Sequence, residues 1–123
     1  MFASIEELVR SCFDCYLTAD RLRLEMLLAQ DFTFTSPYDD HIDRKTYLER
    51  CWPIAGTFES LDLQHLVVSE NRCFVTYNAT WRNGNRARNT ELFEASEGQI
   101  HSVEVFFGLP PGGPVSQPPG WND

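Results

Sequence analysis

Between Leu61 and Phe107 the chain falls into four successive strand-like runs, about Leu61 to Glu70, Cys73 to Arg82, Arg86 to Ala95 and Gln99 to Phe107. Only Asn71-Arg72, Asn83-Gly84-Asn85 and Ser96-Glu97-Gly98 separate them, short polar links of hairpin chemistry. Links that short cannot hold a parallel crossover, so the runs are predicted to form an antiparallel meander. One face of such a sheet needs covering, and the residues able to cover it lie upstream.

Ser4-Ile5-Glu6-Glu7 is a capping box, and Ile5, Leu8, Val9, Cys12, Phe13, Tyr16 and Leu17 follow at helical spacing, which predicts a helix to about Leu17. Asp20 is placed to cap a second helix, whose Leu22, Leu24, Met26, Leu27 and Leu28 make a wide apolar face. From Asp31 to Ser36 the period changes to two, with Phe32, Phe34 and Ser36 on one face of a strand that Pro37 ends. The polar stretch Tyr38-Asp39-Asp40-His41 reads as a loop leading to Asp43, the N-cap of a third helix that Pro53 stops just after Trp52. Three helices followed by a long meander make an α+β pattern.

With 123 residues, 42% of them hydrophobic and 13% aromatic, the chain can fill one core. The net charge of −8 repels phosphate backbones and anionic lipid, which argues against nucleic acid and membrane surfaces as partners. No apolar stretch approaches the roughly 18 residues of a spanning helix and no leader is visible, so a soluble, cytoplasmic protein is expected. Pro110, Pro111, Pro114, Pro118 and Pro119 crowd the end of the chain. This divides it into a body, 1–108, and a Pro/Gly-rich tail, 109–123, in which Trp121 is the one residue suited to docking. Cys12, Cys15, Cys51 and Cys73 are too sparse for a disulfide scaffold and are expected as reduced, buried thiols. Asp39, Asp40, His41 and Asp43 cluster without the spacing of a metal loop, and no motif calls for a metal or a cofactor.

Alternation along the runs suggests which side chains point inward. In the first, Leu61, Leu63, His65 and Val67 are the more apolar set, so His65 is expected to face the helices. In the second, Val75, Tyr77, Ala79 and Trp81 point the same way, and in the third Asn89, Glu91, Phe93 and Ala95 share a face. The last hairpin has two possible registers. A two-residue Glu97-Gly98 turn pairs Glu91 with Glu104, whereas a three-residue loop with left-handed Gly98 pairs Glu91 with Val103. The second avoids facing carboxylates and is preferred; it sets His101, Val103, Val105 and Phe107 beside Glu91 and Phe93.

From Ile5 to Gly108 the chain resembles the nuclear transport factor 2-like superfamily, in its SnoaL-like, ketosteroid-isomerase-type branch. The carriers are Leu27-Leu28-Ala29-Gln30-Asp31-Phe32-Thr33-Phe34, Ser36-Pro37, Arg86 to Glu91 and Gly98 to Gly108. Glu49-Arg50-Cys51-Trp52-Pro53 and Arg88-Asn89-Thr90-Glu91 are similar to a bacterial subgroup of these proteins. The resemblance implies a cone-shaped α+β barrel: three helices in the concave face of a curved mixed or antiparallel sheet, around an apolar pocket, with homodimers formed through the sheet. In the isomerases an Asp before the strand-ending proline is the general base; the matching position here is Ser36. Their helix-borne oxyanion Tyr falls on Cys12, one turn before Tyr16, and their second oxyanion acid falls on Glu91. In the related limonene epoxide hydrolases an acid and an Arg stand two apart on one strand, a spacing held here by Glu91 and Asn89.

The expected function is binding of a small apolar molecule, with acid/base isomerase, lyase or hydrolase chemistry carried by Glu91 and assisted by His65 or His101. Tyr16, Phe34, Ser36, Tyr38, Tyr47 and Trp52 are candidate pocket residues from the helices and the first strand. Tyr77, Trp81, Asn89, Phe93, Val103 and Phe107 are their counterparts on the meander. The alternative is a non-catalytic ligand-binding or protein-interaction module of the same fold.

Overall fold

A computed structural model describes residues 1–112. Helix α1 (Ile5–Thr18) starts where Ser4 Oγ accepts the Glu7 amide and buries Leu8, Val9, Cys12, Phe13 and Cys15. Helix α2 (Arg21–Leu27) is capped by Asp20, which accepts the Arg23 amide. Of its expected apolar face only Leu24 is buried in the helix; Leu22 and Met26 are exposed, and Leu28 already belongs to the next strand. Helix α3 (Arg44–Cys51) is capped by Asp43, and Pro53 ends it in a single 3-10 turn, Trp52–Ile54.

Strand β1 (Leu28–Ser36) begins three residues before the period-two pattern becomes readable, because Leu28 pairs with Ile100 in the sheet. The expected loop after Pro37 is instead a two-residue turn into a further strand, β2 (Asp39–Asp43), which pairs antiparallel with β1. The sequence concealed β2 because an edge strand with one solvated face has little need of apolar residues. The meander follows as β3 (Phe58–Ser69), β4 (Arg72–Trp81), β5 (Arg86–Ser96) and β6 (Gln99–Phe106). The six strands run in the order β2-β1-β6-β5-β4-β3, with β1 and β6 parallel and every other pair antiparallel. The α+β class and the mixed sheet are therefore as expected. The sheet curves around the helices, and its β2 and β3 edges stay unjoined.

Two irregularities in the ladders redirect the expected histidines. Between Leu63 and His65 the β3–β4 register shifts, so residues beyond the bulge change face and His65 and Val67 are exposed. In the last hairpin Ser96 pairs with Gln99 around a two-residue turn in which Glu97 and Gly98 both have positive φ. A second shift then leaves His101 unpaired between Ile100 and Ser102, and Glu91 faces Val105. Neither anticipated register occurs. Val103 and Val105 nonetheless point inward with Glu91, as the preferred one required, while His101 does not.

The core lies between the concave face and the helices, where Phe32, Phe93, Leu24, Leu28 and Ile100 are fully buried. Each such side chain contributes roughly 1.5–3 kcal/mol relative to exposure. After β6 the chain is fastened to β5: the Arg88 amide donates to Gly108 O and the Gly108 amide donates to Asn89 Oδ1. A Cβ on Gly108 would stand 2.3 Å from Arg88 O, so only glycine fits there. Residues 113–123, with Trp121, lie outside the described residues, so the proposed tail falls largely beyond them. Among the described residues no helix is long and apolar enough to cross a membrane.

Candidate functional site

Helices α1 and α3 stand off from the concave face and leave a cavity of ≈ 470 Å3. That lies within the usual range of small-molecule sites. From the helices, Tyr16 on α1 and Tyr47 on α3 line it; from β1 come Phe34 and Ser36. Tyr77 and Trp81 on β4, Asn89, Glu91 and Phe93 on β5, and Val103 on β6 form the opposite wall. Tyr38 and Phe107 meet at the mouth with ring centroids 5.7 Å apart. Trp52 does not line the cavity. It backs Tyr16 from behind, with centroids 5.2 Å apart.

His65 and His101 are absent from the cavity wall. His65 is exposed, while His101 Nδ1 stands 3.0 Å from Asp31 Oδ1 at the surface. The bulge beside each removes it from the inward alternation, so neither histidine can assist Glu91.

Glu91 sits at the end of a chain of donors. The Gly108 amide donates to Asn89 Oδ1, Asn89 Nδ2 donates to the Tyr77 hydroxyl at 3.2 Å, and Tyr77 donates to Glu91 Oε2 at 2.5 Å. Hydrogen bonds in series polarise one another, so the relay favours negative charge on Oε2. Glu91 Oε1 has no protein donor among the described residues, and the surface the residue retains faces the cavity. No cation pairs with it among the described residues. Burial raises its pKa from 4.5 to about 7, against the opposing pull of the Tyr77 hydrogen bond. Tyr77 is itself driven upward, by burial first and then by the Glu91 charge.

A second polar group bridges the helices. Tyr16 and Tyr47 place their hydroxyl oxygens 2.5 Å apart, and burial holds both well above the ordinary tyrosine range. Two hydroxyls joined by one hydrogen bond share one hydrogen, leaving the other without a protein acceptor among the described residues. That second hydrogen is available to an oxygen in the cavity.

The remaining polar wall includes two residues the sequence reading missed. Asp39 pairs with Ser36 across the Pro37-Tyr38 turn and reaches the cavity, as does Arg50 of α3. Reading Pro37-Tyr38 as a tight turn would have put Asp39 opposite Ser36. Helical spacing from Tyr47 would have put Arg50 on the cavity face. The acidic cluster is thus divided: Asp39 faces Arg50, Asp40 meets His41, and Asp43 caps α3. Among the described residues no group of three or more His, Cys, Asp or Glu is placed to hold a metal ion. Of the wall cysteines, burial pushes Cys12 well above its ordinary value and Cys51 to about 11, so both stay protonated and poorly nucleophilic at neutral pH. Phe13, Phe58, Leu61 and Val105 add apolar wall; of these the sequence reading set only Val105 beside Glu91, and it named none as a pocket residue.

No family model and no curated protein matches the chain. Solved structures do. A nuclear transport factor 2-like protein of unknown function from Cytophaga hutchinsonii superposes with TM-score 0.71 over 87% of this chain and 92% of its own, at 18% identity. Another from Burkholderia xenovorans gives 0.74 over 95% and 88%, at 17% identity. A hypothetical protein with a ketosteroid isomerase-like fold from Catenulispora acidiphila, solved with trimethylamine, gives 0.67 over 86% and 88%, at 11% identity. The chain has the nuclear transport factor 2-like fold, in the form shared with ketosteroid isomerase-like proteins.

Proposed function

We propose that the cavity binds a small, largely apolar carbonyl compound and that Glu91 moves a proton on it. The observation that carries this reading is a carboxyl group in an apolar cavity, held by a tyrosine relay and without a cation partner among the described residues, with a pKa of about 7. A group with that pKa is populated in both forms at neutral pH, as a proton shuttle requires. As carboxylate, Glu91 takes a proton from the carbon beside the carbonyl, and the electron pair of the broken C–H bond passes to the carbonyl oxygen. The spare hydroxyl hydrogen of the Tyr16–Tyr47 pair is the donor available to that oxygen as its charge grows. The proton returns to a conjugated carbon, so atoms and electrons balance without a cofactor.

Turnover of a panel of enones, epoxides and lactones by wild type and Glu91→Gln tests the proposal. Loss of activity in the variant is expected for enones; equal turnover would exclude Glu91 as the proton carrier. Binding without turnover of any panel member would favour the ligand-binding module.

The same reading assigns the outer sheet face to a second copy of the chain. Val67 pairs with Phe74, and Phe74 with Leu92, in one row across three strands, with Val67 62% and Phe74 48% exposed. Sedimentation should give a dimer that Phe74→Asp converts to monomer; a monomeric wild type would refute this assignment.

A further inference from the structure

The ion pair at the mouth of the cavity presents its two halves unequally. The Asp39 side chain is 8% exposed: Oδ2 accepts from Ser36 Oγ at 3.0 Å, and Oδ1 is buried 2.8 Å from Arg50 Nη2. Both oxygens are covered, so this carboxylate offers a ligand nothing. Arg50 is the accessible half, exposed and on the cavity wall. Its contact with Asp39 is one of charge with charge, because Oδ1 receives no aligned hydrogen bond. A guanidinium carries five N–H donors in one plane, so donors remain for a second acceptor.

Among the described residues Arg50 is the one cation lining the cavity, and the sheet sets it apart from Glu91. Its partner Asp39 lies on β2, opposite Ser36 of β1, and β6 stands between β1 and the β5 strand that carries Glu91. The two carboxylates are thus three strand spacings apart, roughly 14 Å along the sheet. Phe34 of β1 and Val103 and Val105 of β6 supply apolar wall on the strands between. The cavity has an acid towards one end, a cation at the other and an apolar stretch between them.

Resting on the small-molecule reading of the cavity, we propose that Arg50 is a specificity residue that binds the carboxylate of a monoanionic ligand at the end remote from Glu91. The ligand class is then a rigid apolar skeleton with a carbonyl at one end and a carboxylate at the other. Charge decides among the alternatives. A ligand cation would meet the exposed guanidinium as a like charge while Asp39 is covered, and a phosphate monoester would set two negative charges beside Asp39 with one cation to balance them. A single carboxylate shares Arg50 with Asp39 and matches its planar donors. A contact at the remote end is the same in the ground state and the transition state, so it lowers KM and leaves kcat unchanged.

The test uses three two-ring probes: 6-acetyl-2-naphthoic acid, its carboxamide, and 2-acetylnaphthalene. Binding is measured by calorimetry to wild type, Arg50→Gln and Glu91→Gln. Wild type should bind the acid about tenfold tighter than the isosteric amide, the low end for a charge-assisted hydrogen bond because the guanidinium stays partly solvated. Arg50→Gln should lose most of that preference while binding 2-acetylnaphthalene as wild type does, which also reports that it is folded. Glu91→Gln should keep the preference, since the acid end of the probe lies away from it. Equal affinity of wild type for acid and amide would overturn the role of Arg50 and leave the cavity reading standing. So would a preference that survives in Arg50→Gln, or one lost in Glu91→Gln, which would put the probe carboxylate against Glu91 instead. Failure of every probe to bind wild type would overturn both.

Discussion

Glu91 and Asp39 are carboxylates on the wall of one cavity, and their surroundings could hardly differ more. Glu91 faces a neutral tyrosine hydroxyl deep between β4, β6 and the helices, whereas Asp39 faces a guanidinium at the mouth that is itself 55% exposed. Burial beside a neutral partner makes the Glu91 carboxyl exchange its proton near neutral pH, whereas Asp39 is held in an ion pair with Arg50. The difference sets an exchangeable proton site and an ion pair on the wall of one space of ≈ 470 Å3.

The contrast breaks first at Glu91. Removing a general acid–base should lower the rate by about a hundredfold to ten-thousandfold, so Glu91→Gln is expected to lose that much kcat on an enone substrate. Arg50→Gln, which removes no partner of Glu91, should leave kcat on the same substrate near its wild-type value. Similar kcat losses in both variants would erase the distinction.

Stability against pH gives the next effect. Glu91 is raised from 4.5 to about 7 on folding, so the native state holds its proton more tightly than the unfolded chain. The associated stability is fully present below pH 4.5 and is lost as pH rises through 7, in total about 3 kcal/mol. Denaturant titrations of wild type and Glu91→Gln should converge near pH 4.5. They should separate by roughly that amount at pH 8, with the variant the more stable. A difference that does not change with pH would contradict the burial argument.

Tyr77→Phe sharpens the comparison from the other side. Its hydroxyl is the donor that favours the charged form of Glu91, so its loss should move the pH transition upward. At pH 8 it should destabilise the fold by about 1–3 kcal/mol, and by less at pH 5. The smallest effect belongs to Arg50→Gln, about 1 kcal/mol or less, because the guanidinium is largely solvated. That loss should shrink further in high salt, while the Glu91 effect, which involves no ion pair, should not.

What the sequence disclosed follows from where its signals are local. Ser4, Asp20 and Asp43 act within three residues, so each helix start was readable. The turns of the meander were equally compact, and the inward set of β4 and β5 followed from alternation that no bulge interrupts. His65 and His101 were misplaced because a bulge is one extra residue with no mark in the pattern, and beyond it every side chain changes face. Asp39 was missed because its strand is polar and its value lies in what the turn places opposite: Ser36 across the hairpin and Arg50 from a helix. The cavity itself was beyond alternation, which separates inside from outside but not wall from filled core.

The most direct test is a carbon-13 NMR titration of the glutamate side-chain carboxyls, with the Glu91 signal assigned by its absence in Glu91→Gln. A midpoint near pH 7 is predicted for this carboxyl. A midpoint near 4.5 would contradict the account, because a carboxyl that ionises as it does in water is not the buried proton carrier on which the proposed function rests.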